Sequence, residues 1–387
     1  MSAAPLAPSR FASGAPASSS APTQQAAAGK HHASQQQQQP QPPFLHNAHL
    51  LYGQASLPGS RYGILNQDYV EAQQLHDSKH LRQHRWPQCY AAVVLDGHGM
   101  LGEQAAREAG RHIIAALQHS DLRRRQLANM SRSEVEQVVR AAFLAGHLAA
   151  LCVFDDAPPT YIYPLGSRLQ QRYTLHRQDN GDKAYFAPNS VGGRILEFGT
   201  TATLALVQGT TLVVASVGDS LAVLGWEAED SYQAEIVWVR HWGNDEGERA
   251  RLVRECGTSV SVSEQDGYLT VDDGRLRGFQ LAMTRALGHR LLAQYGVASA
   301  PSVTFHQLRP EHLCLIVATD GVWEVLSPGA AVKLVADVVA EGRSAEEAAL
   351  ELCRRSVALA SGDNTVRQAR GAEADNTTAA VFVFNEL

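Results

Sequence analysis

The sequence predicts an α+β domain built in layers on antiparallel strands, and three observations lead there. Short apolar runs of strand length alternate with longer segments of helical period. Two of the runs are joined by a tight turn, and no strict strand–helix–strand repetition argues for a parallel sheet. The chain of 387 residues is 44% hydrophobic and 19% charged, enough apolar material for a substantial core.

The elements follow from the N-terminus. The first 43 residues are dominated by Ala, Ser, Pro and Gln, with a polar tract from Gln35 to Pro43. They are expected to be disordered, because they bury too little apolar area to offset chain entropy. No Asp or Glu precedes Asp68, so organellar import is the alternative to a cytoplasmic or nuclear location. From Phe44 to Leu387 the chain reads as one domain. Tyr90 to Leu95 is a compact apolar run ending in glycines, the pattern of a buried strand before a turn. Glu103 to Leu117 is helical, with Ala106, Ala109, Ile113 and Ala116 on one side. Ser133 opens a second helix through a capping-box spacing to Glu136, followed by Val135, Val138, Val139, Ala142 and Phe143. Asp155 to Phe198, rich in Pro, Gly, Tyr and Arg with little periodicity, is expected to be a loop insertion. Thr201 to Val207 and Leu212 to Val217 flank Gln208-Gly209-Thr210 as a hairpin, and Leu221 to Trp226 and Ala234 to Val239 continue the strands. Cys314 to Ala318 is a buried strand, Ser327-Pro328 and the Ser344/Glu347 capping box start two more helices, and Ala379 to Phe384 is a closing strand.

Composition narrows the function. The formal charge is -6, and no basic block stands out beyond Arg123-Arg124-Arg125, which argues against a nucleic-acid partner. No uninterrupted apolar run approaches the roughly 18 residues of a membrane span. Cys89, Cys152, Cys256, Cys314 and Cys353 are scattered without a C-x-x-C pair, which reads as buried free thiols in a reducing compartment. A monomer is expected.

The chemistry lies in aspartates at the ends of apolar strands. Leu95-Asp96-Gly97, Val217-Gly218-Asp219-Ser220, Thr319-Asp320-Gly321 and Ala374-Asp375-Asn376 share one form, and Asn66-Gln67-Asp68 precedes the first core strand. A single Asp-Gly after a strand is more often a turn than a ligand, as at Asp272-Asp273-Gly274. Carboxylates gathered at one sheet edge repel, and a divalent cation relieves the repulsion. Oxygen-only ligation favours Mg²⁺ or Mn²⁺ over zinc or copper. A pair of such ions activates water for in-line attack at phosphorus. His98, two residues from Asp96, is placed to protonate the leaving alkoxide.

These motifs resemble those of the protein phosphatase 2C family, in order, from about Gly63 to Phe384. Asn66-Gln67-Asp68 is similar to its first acidic motif, and Asp96-Gly97-His98-Gly99 matches its D-G-H-G signature. Gly199-Thr200-Thr201-Ala202, Val217-Gly218-Asp219-Ser220 and Thr284-Arg285-Ala286-Leu287-Gly288 follow, then Ala318-Thr319-Asp320-Gly321-Val322-Trp323 and Asp375-Asn376-Thr377-Thr378. The resemblance implies a central β-sandwich flanked by helices on both faces, with two metal ions at one end. It implies that Asp96 bridges both ions, that the Gly97 carbonyl binds one, and that Asp320 and Asp375 complete the first site. Asp68 would act through metal-bound water, Asp219 would help hold a weaker third ion, and His98 would be the general acid. It also implies a phosphoprotein substrate. The chain departs from the family's pattern at several points. Gly63 stands where a basic residue usually binds substrate phosphate, with Arg61 nearby as a substitute. Leu221 replaces an Arg, His289 replaces the usual Asp after R-A-L-G, and Glu324 replaces the Asp that commonly follows D-G-x-W. The expected function is a metal-dependent Ser/Thr protein phosphatase. The alternative is a catalytically weak pseudophosphatase that binds a phosphoprotein or kinase. A His/Asp metallophosphoesterase would need further histidines beside the aspartate motifs, and only His98 qualifies.

Overall fold

The run read as a buried strand is β3 (Cys89–Leu95), and both of its faces are apolar for a structural reason. Ala92 and Val94 face a second sheet, in a core shared with Ala205, Val207, Leu315, Val317 and Phe382. Val93 and Leu95 face the opposite way, onto Ile113, Leu117 and Phe143 of two helices. A strand covered on both sides shows no polar alternation. The computed structural model describes residues 50–61, 65–75, 87–165, 169–177, 183–187, 195–229, 231–362 and 373–384. The N-terminal stretch 1–43 and Gly63 lie outside the described residues.

One sheet runs β1 (Leu50–Leu57), β20 (Thr377–Phe384), β19 (His312–Ala318), β12 (Leu221–Ala228) and β13 (Ser231–Ile236). The other runs β18 (Ser302–Gln307), β11 (Thr211–Val217), β10 (Ala202–Gln208), β3 and β2 (Tyr69–Gln74). Every pairing within both sheets is antiparallel. The hairpin of β10 and β11 closes with Gln208 opposite Thr211, and Gly209 takes φ +58° in the turn, where a side chain would be strained. Helices α1 (Gly102–Gln118) and α2 (Arg132–Cys152) cover one sheet. After α3 (Glu246–Cys256) and the short α4 (Asp320–Trp323), helices α5 (Pro328–Ala340) and α6 (Ala345–Gly362) cover the other through Val332, Val335, Ala348 and Leu352. The result is the expected helix–sheet–sheet–helix layering.

Three expectations need correction. Helix α2 is capped by Ser131, whose hydroxyl and backbone N–H form a capping box with Glu134, two residues ahead of the expected Ser133/Glu136 box. Both spacings occur in the sequence, and in the fold Glu134 also pairs with Arg125 at 2.8 Å. The stretch from Asp155 to Phe198 carries a four-stranded antiparallel sheet of β5 (Thr160–Leu165), β6 (Leu169–Arg177), β7 (Lys183–Phe186) and β8 (Ile195–Leu196). Its pattern is faint because few of its side chains are buried, chiefly Tyr173, Ala184, Tyr185 and Ile195. The cysteines are unpaired, but Cys152 is exposed and Cys256 half-buried, so burial holds for Cys89, Cys314 and Cys353 only.

By length and composition α2 is apolar enough to cross a bilayer, with a mean hydropathy of 1.3 in its best window. No single unbroken run signalled this, because Arg140 and His147 interrupt it. In the fold Val135, Val139, Ala142, Phe143 and Ala150 of this helix lie in the core against α1.

Candidate metal centre

Antiparallel register carries the aspartates to one end of the sandwich. Tyr69 pairs with Leu95, so Asp68 enters β2 beside the point where Asp96 leaves β3. Ala318 pairs with Ala379, which sets Asp320, just past β19, against Asp375, just before β20. Ala202 pairs with Val217, and Asp219 follows two residues later.

Close backbone packing fixes these turns. A Cβ on Gly97 would lie 2.4 Å from the Gln67 carbonyl oxygen, and one on Gly321 would lie 2.0 Å from that of Asn376. Only glycine allows such approaches. Asn376 Oδ1 accepts the Gln67 N–H at 2.9 Å and its amide donates to the Leu65 carbonyl, which ties the first and last motifs together.

A hydroxyl network then orients the carboxylates. Thr319 donates to Asp68 Oδ2 at 3.0 Å and accepts the Thr378 N–H at 3.1 Å. The Asp96 N–H donates to Thr201 Oγ1 at 2.9 Å, which also contacts Ser220 Oγ at 2.8 Å. Sequence reasoning missed these hydroxyls as site residues. The signal was present in the small polar residues flanking each aspartate, but it did not distinguish support from turn.

The carboxylates feel one another strongly. Burial raises Asp96 well above the ordinary carboxylate range, and Asp68, Asp320, Asp375 and Asp219 push it further. Asp68 is raised to about 7 by burial, against the pull of the Thr378 and Thr319 hydroxyls, and Asp375 adds to the rise. Asp219 is raised by burial and partly held down by Arg240. Its Oδ1 is buried with no hydrogen-bond partner among the described residues. Asp320, Glu324 and Asp375 each offer a carboxylate oxygen, all within 4.8 Å of one another. Glu324, which the sequence presented only as a departure, therefore joins the cluster one helical turn after Asp320. The donor set is all oxygen, its charges are mutually repelling, and one buried oxygen is orphaned. Such a set fits hard divalent cations.

Arg61 reaches this cluster. The Ser60 and Arg61 N–H groups both donate to the Ala374 carbonyl, at 2.9 and 3.0 Å, and the Arg61 guanidinium sits 2.6 Å from Asp375 Oδ2. His98 lies in β4 (Gly97–Gly99), with its Nε2 2.6 Å from Nε2 of His289. Burial and the neighbouring His289 lower His98 to about 3, while the Asp96 carbonyl works the other way. Thr284 and Arg285 of the T-R-A-L-G motif stand apart from the carboxylates. They hold the buried Glu248, with the Thr284 hydroxyl at 2.6 Å and Arg285 Nε at 3.0 Å.

An antiparallel sandwich whose strand ends deliver carboxylates to a single rim defines a metal-binding α+β class. Comparison with known proteins gives the family. The model of protein phosphatase 2C matches residues 170–365, and the chain belongs to that family. It is 38% identical over 138 residues to probable protein phosphatase 2C 12 of Oryza sativa subsp. japonica, a match covering 35% of this chain and 36% of that one. It is 30% identical over 255 residues to probable protein phosphatase 2C 73 of Arabidopsis thaliana, covering 65% of this chain and 62% of the relative. Among the most similar curated relatives the match spans between 27% and 62% of their length. The fold is similar to the crystal structure of serine-threonine phosphatase 2C from Toxoplasma gondii, with TM-score 0.59, 19% identity, and 88% and 97% of the two chains covered. A C. elegans sex determining protein also matches, with TM-score 0.56 and 16% identity over 87% of this chain and 65% of that one.

Proposed function

We propose that this chain is a metal-dependent protein Ser/Thr phosphatase that hydrolyses phosphoserine and phosphothreonine in protein substrates. The observation that carries the reading is the convergence of Asp68, Asp96, Asp219, Asp320 and Asp375 at one rim, where the other four raise the Asp96 carboxyl and Glu324 lies beside Asp320 and Asp375. Two Mg²⁺ or Mn²⁺ ions would be held by Asp96, the Gly97 carbonyl, Asp320 and Asp375, with Asp68 acting through water and Asp219 serving a weaker third. When bound, divalent cations lower the pKa of water and stabilise charge developing on phosphoryl oxygens.

The protein's own groups do the rest. Thr319 and Thr201 keep Asp68 and the Asp96 backbone in place. Arg61, at 2.6 Å from Asp375, is within the same rim and supplies a guanidinium for the substrate phosphate in place of the family's basic residue. His98 protonates the leaving serine or threonine oxygen. An arriving phosphate dianion favours its charged form, opposing the effect of burial.

The test is release of phosphate from a phosphothreonine peptide by the full chain with Mn²⁺, with EDTA, and by Asp320→Asn with Mn²⁺. Turnover is expected only in the first. Equal turnover in all three would refute the proposal.

A further inference from the structure

Beside the acidic rim lies a line of three side chains in a small three-stranded sheet of β17 (Leu287–Gly288), β9 (Phe198–Thr200) and β4. Gly199 pairs with His98 on one side and with Gly288 on the other. That register brings Glu197, His289 and His98 together although His98 and His289 are 191 residues apart in sequence. The side chains of Glu197 and His289 are 0% and 2% exposed. Glu197 Oε1 accepts the Leu291 N–H at 3.2 Å, and its Oε2 lies 3.6 Å from His289 Nδ1. The imidazoles of His289 and His98 stack at 4.8 Å between centroids and share the 2.6 Å Nε2–Nε2 contact.

The backbone around them is built for this contact. His289 adopts φ +55°, and its N–H donates to the Phe198 carbonyl at 3.0 Å. A Cβ on Gly199 would collide with the His289 ring at 2.5 Å. His147 Nδ1 accepts the Gly288 N–H at 3.1 Å and steadies the same turn.

Two imidazole nitrogens this close hold one hydrogen between them. That shared hydrogen locks the two rings together, and the Glu197 carboxylate lies behind His289, on the side of its ring away from His98.

We infer that His289 and Glu197 are positioning residues for His98, fixing the orientation of its ring through the Nε2–Nε2 contact. The inference rests on the proposed role of His98 as general acid. A carboxylate orienting an imidazole from behind has a well-understood role in acyl-transfer triads. Here the carboxylate acts through a second imidazole. In the proton-transfer step, charged His98 gives its proton to the leaving oxygen as the P–O bond breaks and its electron pair stays on oxygen. His98 ends neutral, its ring still held by His289.

The experiment compares two substrates of the full chain with Mn²⁺: a phosphothreonine peptide, whose leaving group needs a proton, and p-nitrophenyl phosphate, whose leaving group does not. Glu197→Gln keeps the acceptor for Leu291, and His289→Asn suits the positive φ. Each is expected to lower kcat on the peptide by about tenfold or more while changing the aryl ester by less than about threefold. Combining Glu197→Gln with His289→Asp, which sets a carboxylate directly beside His98, is expected to recover peptide turnover. If His98→Asn separates the substrates and the Glu197 and His289 variants do not, the inference fails and the general-acid reading stands. If His98→Asn lowers both substrates alike, both fail. A second readout needs no variant. Ring-nitrogen NMR of the wild-type chain with Mg²⁺ should show a hydrogen-bond coupling between the Nε2 atoms of His98 and His289, and its absence would overturn the inference.

Discussion

Removing divalent cations should make the stability of this protein fall as pH rises, and the size of the effect follows from Asp68. Its side chain is 8% exposed, and its carboxyl is raised from 3.8 to about 7 in the folded state. In the unfolded chain it titrates at the ordinary value. A raised folded-state value means that the native protein keeps a proton the unfolded chain has released. The associated stability is whole below 3.8 and lost as pH rises through about 7. Three units at about 1.4 kcal/mol each give a loss on the order of 4 kcal/mol from this group. Asp96 and Asp219 are displaced in the same direction, so the slope is theirs as well. Bound cations take the proton's place and cancel the loss. Urea denaturation of the full chain across this window, with EDTA and with Mg²⁺, measures it. Metal-free stability should drop while the Mg²⁺-loaded protein holds level, and Asp68→Asn should make the metal-free curve shallower, leaving the share of Asp96 and Asp219. Parallel curves with and without Mg²⁺ would show that the carboxylates do not carry the strain assigned to them.

Arg61→Ala should raise KM for a phosphothreonine peptide by about tenfold, the worth of one charge-assisted contact, with a smaller change in kcat. An unchanged KM would remove Arg61 from phosphate binding. Glu248→Gln should cost about 3 kcal/mol by chemical denaturation, because it leaves the half-buried Arg251 and Arg285 without their shared carboxylate. The Arg285 and Arg251 hydrogen bonds hold Glu248 down to about 2 despite burial, so its contribution is complete above 4.5 and is lost as pH falls through about 2.

The layers of the fold were readable because burial on both faces of β3, β10, β19 and β20 leaves uninterrupted apolar runs, and because Ser327 and Ser344 cap helices by local rules. Local rules failed where two equal solutions competed, as with the Ser131 and Ser133 caps. They failed again where strands bury at most two side chains each among the described residues, as in β5 to β8. The aspartates were legible because each flanks a strand, Asp68 and Asp375 just before one and Asp96, Asp219 and Asp320 just after one. Glu324 was visible as a departure, yet its place beside Asp320 and Asp375 needed the helical turn of α4. Glu197 carried no signal at all, since its partner His289 lies 92 positions away by number and meets it only through sheet pairing.

Among the described residues the rim is short of positive charge. The hydroxyls of Thr319, Thr378 and Thr201 satisfy hydrogen bonds, but they bring no net charge to the anions. Arg240 offsets Asp219 in part, and its own guanidinium is pushed down to about 10 by burial. Arg61 meets Asp375, but its side chain is 52% exposed, so solvent screens much of that attraction. At Asp96, burial and four other carboxylates act together to raise the carboxyl. A proton relieves that position until the pH exceeds its raised value, as it does for Asp68 up to about 7. Above that pH the described residues leave the anions undercompensated, and an all-oxygen set of this kind favours hard divalent cations.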